Sequence, residues 1–212
     1  MSVYKKNFIC EKLRKLGTFQ NRALLALERN ALEELLKVRG DAIEETNRIL
    51  EDEGKESWNV FLSSIDIDDA NDTVDLFYEL LILANYKAIE NHMIRIIEVG
   101  FVDVDRRALY IFRKLKAFLL DNGIQVEGII YYDHINEIRL ISNSIKHGGK
   151  VSKELGGLAG WSTGAPIKGL DKTYNSVKAK VPLFIEHFSI LVEESCECYV
   201  SPSSKLREAL DA

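Results

Sequence analysis

Apolar residues recur along this chain at intervals of three and four, the spacing of one face of an α-helix. The pattern predicts a first helix over 3–16, closed by Gly17, and a second from Thr18 or Phe19 to Arg39. Leu24, Leu25, Leu27, Ala31, Leu32, Leu35, Leu36 and Val38 form its stripe. Gly40 then reads as a stop, and Asp41 as the cap of a shorter third helix to about Glu53. Residues 54–73 are acidic and less regular and read as a connector holding one turn of helix. A long apolar helix follows from Asp72 to Gly100, then another from about Asp105 to Leu120, closed by Asp121-Asn122-Gly123. The next starts near Val126 or Tyr131 and runs to His147. Residues 148–169 hold seven of the thirteen glycines and predict a loop. A last long helix spans about 172–199, with Pro182 kinking it or starting its second half.

These elements predict an all-α fold: a helical bundle over 65–200, an N-terminal helical extension over 1–64, and a polar tail over 201–212 with a final turn at 206–210. Composition agrees, since 46% of the residues are hydrophobic and prolines stand only at 166, 182 and 202. Three cysteines, Cys10, Cys196 and Cys198, cannot all pair within one chain, and no apolar run suits a signal peptide or a membrane span. A cytoplasmic protein with no membrane association is therefore expected. Charge is unevenly placed: residues 41–80 carry thirteen acids against Arg48 and Lys55, whereas 139–180 carry eight Lys or Arg against Glu154 and Asp171. The basic half suits an anionic partner.

That basic half begins at a polar triad. In the segment 137–149, Arg139, Asn143 and His147 recur every fourth residue just before Gly148 and Gly149. Each step of four advances about 40° around a helix, so the three share a slowly drifting strip beside the apolar face of Ile138, Ile141 and Ile145. A guanidinium holds phosphate oxygens, an imidazole moves protons, and an amide orients either, which suits phosphodiester chemistry. The same residues also suit a plain helix end, because His and Lys in a last turn favour the negative end of the dipole and Gly148 fits the position after the cap. His92, His134 and His187 read as structural. The match of Gly160-Trp161-Ser162-Thr163-Gly164 to a nucleophile elbow lacks the strand before it and the helix after it. No phosphate loop, di-iron spacing or zinc pattern occurs, so neither metal nor cofactor is expected.

Arg139-x3-Asn143-x3-His147-Gly148, preceded by Tyr86-Lys87-Ala88-Ile89-Glu90-Asn91-His92-Met93-Ile94-Arg95 on an earlier long helix, resembles the signature of HEPN domains over roughly residues 70–200. The resemblance implies a HEPN-like bundle and a metal-independent endoribonuclease, of the kind found in toxin–antitoxin or antiphage systems. It implies Arg139, Asn143 and His147 as catalytic residues, with Glu90 as a helper, although Glu90 equally suits a polar position flanking a buried helix. Lys146, Lys150 and Lys153 would draw in the RNA backbone. Catalytic members usually separate arginine and histidine by four to six residues, whereas here seven intervene, which places the two about 12 Å apart along the axis. A site composed across a homodimer would bring them together. The family also contains noncatalytic modules, so the alternative is a helical dimerisation or partner-binding protein, its partner an antitoxin or effector.

Overall fold

Between Gly54 and Gly100 the chain contains neither glycine nor proline, and it uses that run as one helix. The computed structural model describes residues 3–18 and 22–196, and α3 spans Trp58–Gly100. The connector expected over 54–73 is thus a short turn at 54–57 followed by helix. Gly40 likewise stops nothing: α2 runs unbroken over Arg22–Glu53, because a single glycine costs a helix only about 1 kcal/mol. The separate helix expected from Asp41 is its second half.

The remaining elements are α1 (Val3–Gly17), α4 (Arg106–Leu109), α5 (Phe112–Asp121), α6 (Tyr132–Lys146), α7 (Leu170–Lys178) and α8 (Val181–Ser195). The helix expected over 105–120 is divided at Tyr110 and Ile111, where Ile111 turns extended at ψ 104°. Asp105 caps α4, its Oδ1 accepting from the backbone N–H groups of Arg107 and Ala108 at 3.0 and 3.3 Å. Pro182 opens α8 in the first turn, where its missing N–H costs nothing, so the expected 172–199 helix is two helices. No strand occurs among the described residues, and the fold is all-α. The expected turn at 206–210 and the tail over 201–212 lie outside the described residues.

The chain divides into two compact units. One comprises the described residues of Met1–Gln20, Tyr86–Glu137 and Ser176–Ala212. Here α1 lies on α8, with the Ser189 hydroxyl donating to the Leu13 carbonyl at 2.7 Å and Arg14 meeting Glu193 at 3.0 Å. Ile89, Ile94, Ile97, Leu119, Ile185 and Phe188 are fully buried in its core. The other unit comprises Asn21–Asn85 and Ile138–Asn175. Its buried interior joins Leu24, Val74, Tyr78, Ile138, Ile141 and Tyr174. Position 64, where sequence suggested a boundary, falls inside α3.

Candidate nucleic-acid interface

The triad stands on the last two turns of α6 and just past its end. The two glycines finish that helix: Gly149 N–H donates to the Ser144 carbonyl at 3.1 Å and Gly148 N–H to Ile145 at 3.4 Å, with Gly148 at φ +113°. This paired closure takes a left-handed residue at Gly148, which glycine adopts without cost. His147 N–H still bonds the Asn143 carbonyl at 3.1 Å, so the imidazole sits on the first residue past α6.

Exposure rises along the strip. Arg139 shows 14% of its side chain to solvent, Asn143 is half-buried, and His147 is exposed. Arg139 was expected to flank the buried face, but α6 is buried more widely than its isoleucines suggest. Leu140, Ser142 and Ser144 are buried together with Ile138 and Ile141. Arg139 Nη2 lies 4.0 Å from Glu154 Oε2, a carboxylate 76% exposed and worth little to stability.

The segment after α6 is loop, as expected, but a folded one. Val151 N–H bonds the Ala165 carbonyl and Gly164 N–H the Val151 carbonyl, both at 2.9 Å, and Lys150 pairs with Pro166 in an isolated antiparallel bridge. Val151, Leu155 and Ile167 are buried beneath it, and the Ser144 hydroxyl of α6 accepts from Ser152 N–H at 3.2 Å. Gly156 is required by a close approach: a Cβ there would lie 2.0 Å from Thr163 Oγ1 and 3.0 Å from Thr163 N. These bonds carry Lys150 and Lys153 past the end of α6, where both side chains, like that of Lys146, are exposed. Ser162, exposed in the same loop, accepts at its carbonyl from Ala165 N–H and precedes no helix until Leu170, so the nucleophile-elbow pattern has no elbow.

The other three histidines are occupied within their own unit. His92 Nε2 meets the Leu16 carbonyl at 2.5 Å, His187 Nδ1 accepts from Ile130 N–H at 3.0 Å, and His134 Nε2 takes Lys180 Nζ at 2.5 Å. Lysine can only donate, so the His134 proton resides on Nδ1, which is buried and has no partner among the described residues. Glu90 is tied to Lys87 at 2.7 Å and belongs to the unit that lacks the triad. Lys87 also lies over the Tyr110 ring, 4.4 Å from its centroid. No group of His, Cys, Asp and Glu among the described residues is placed to hold a metal, and no described helix is long and apolar enough to cross a membrane. Compared with known proteins, the chain matches no family model, no curated protein and no solved structure.

Proposed function

We propose that the chain is a HEPN-like, metal-independent endoribonuclease acting in the cytoplasm, in a toxin–antitoxin or antiphage setting. The observation that carries this reading is the contrast among its four histidines. Three imidazoles are engaged in structural hydrogen bonds, and His147 alone is held out to solvent, at a hydrogen-bonded helix end between the exposed Lys146 and Lys150. The lysines, with Lys153, attract a phosphate backbone. A ribose 2′-hydroxyl loses its proton to His147 and attacks the adjacent phosphorus, the P–O5′ bond breaks, and the departing 5′-oxygen takes a proton from water, giving a 2′,3′-cyclic phosphate and a 5′-hydroxyl. Arg139 and Asn143 from a second copy complete the site, since about 12 Å separates Arg139 from His147 along one helix.

A second reading has its own observation, the withdrawal of Arg139 beside Glu154. In it the triad only finishes α6, and the chain is a noncatalytic dimerisation or partner-binding module. Cleavage of a labelled RNA in the presence of EDTA separates the two. The wild-type chain should cut it, a 2′-deoxy substrate should resist, and His147→Ala should lose about a hundredfold or more in rate. Equal cleavage by His147→Ala excludes the ribonuclease reading.

A further inference from the structure

The first half of α3 is apolar on two opposite sides. Ala70, Val74, Tyr78 and Leu81 are buried, yet Leu62, Leu76 and Leu80 are 44%, 55% and 54% exposed. At 100° per residue these three leucines and Asp69 fall within about 40° of one another, a strip roughly 27 Å long facing away from Val74 and Tyr78. Alongside the strip, α2 and α3 enclose an open groove of about 360 Å³. Leu35, Val38, Ala42 and Ala70 make its apolar floor, and Asp66 and Asp69 stand on the α3 wall with Thr73. Half-buried apolar side chains on both helices leave room for a third.

Charge decides what that third helix is. Residues 58–80 carry six carboxylates and no lysine or arginine. On α2, Glu34, Asp41 and Glu45 are exposed within about 60° of Val38 around the axis, so acids border the floor on both sides. Arg48 beside them is held by Glu45 at 2.6 Å. A second copy laid along the strip about a two-fold axis would bring its own Asp66, Asp69 and Asp72 to the middle, against these, and like charges there oppose pairing. An RNA backbone or an anionic lipid surface is repelled for the same reason.

We propose that this groove is a docking site for a cationic amphipathic helix of a partner protein, its apolar face on Val38, Ala42 and Ala70 and its lysines or arginines against Asp66, Asp69 and Asp41. The helix-in-groove arrangement supplies burial, and the acidic rims set orientation and partner choice. The proposal is independent of the ribonuclease reading, since it uses none of the triad or its lysines.

The test titrates the full chain into a fluorescein-labelled synthetic peptide with leucine at every third or fourth position along one face and lysine on the flanks. Saturable binding is expected, weakened about tenfold or more by Val38→Lys, which puts a cation on the floor at an already exposed position. The double change Asp66→Lys and Asp69→Lys should transfer preference to the same peptide with glutamate in place of lysine. Equal binding of a scrambled peptide of identical composition overturns the proposal, as does binding indifferent to both variants. Light scattering that finds a dimer dispersed by Val38→Lys assigns the groove to a second copy and overturns it as well.

Discussion

Tyr174 donates its phenolic proton to Glu28 Oε2 at 3.1 Å, a bond between buried groups 146 positions apart in sequence. It ties α2 to α7, and the Tyr78 ring of α3 stands 6.2 Å from that of Tyr174, so three helices of one unit meet at one polar contact. Glu28 is 7% exposed, and water is a poor substitute for the phenol. Tyr174→Phe keeps the ring and removes one donor to the carboxyl. The expected cost is about 1–3 kcal/mol of unfolding free energy, read from the urea midpoint at neutral pH. A midpoint unchanged by the substitution would show that the bond contributes nothing net.

The same pair predicts how stability responds to alkali. Burial, then the nearby negative charge of Glu28 and the bond to it, hold the Tyr174 phenol well above its ordinary value of 10.0. The folded state therefore keeps a proton that the unfolded chain releases. Its contribution is fully present below pH 10.0 and is lost as the pH rises from there towards the folded value. The wild-type urea midpoint should fall on that limb, and Tyr174→Phe should fall less steeply. Parallel curves for the two proteins would contradict the assignment.

Gly40 sits within α2, outside the left-handed region, and a Cβ built there meets nothing within 4 Å. Alanine narrows the unfolded ensemble and favours the helix without a clash. Gly40→Ala should stabilise the chain by about 0.5–1 kcal/mol, seen as a raised thermal midpoint. A lowered midpoint would mean that the helix breaks there, as the sequence alone suggested.

Glu154 is the one acid beside Lys150 and Lys153 in the stretch from Arg139 to Gly169. Glu154→Gln should alter stability by less than about 0.5 kcal/mol, because a carboxylate this exposed gains little from Arg139. Affinity for single-stranded RNA should rise. Lys150→Ala should weaken binding and flatten the slope of log affinity against log salt by about 0.7, the value for one phosphate contact. Anisotropy titrations at several salt concentrations read both, and insensitivity to the two changes would place RNA elsewhere.

The end of α6 was legible because two consecutive glycines after a helical pattern have few other uses, and Gly148 does adopt a positive φ. The start of α3 was hidden by its charge. Trp58, Phe61, Leu62 and Ile65 already have helical spacing, but five aspartates between 66 and 75 resembled a solvated linker. What matters there is the missing glycine and proline, which lets helix propagate through a run of modest formers. The division between α4 and α5 carries no such residue at all, so the local sequence does not mark it. The withdrawal of Arg139 was equally unreadable, since it depends on how widely α6 is covered and on a loop folded by Val151, Leu155 and Ile167.

With His92, His134 and His187 half-buried and each hydrogen-bonded at one ring nitrogen, His147 is the one exposed imidazole. Followed by the absorbance of acyl-imidazole, which acylated lysines lack, an acylating reagent that discriminates by access would mark His147 first, so one signal would report when that corner is covered and when it is open.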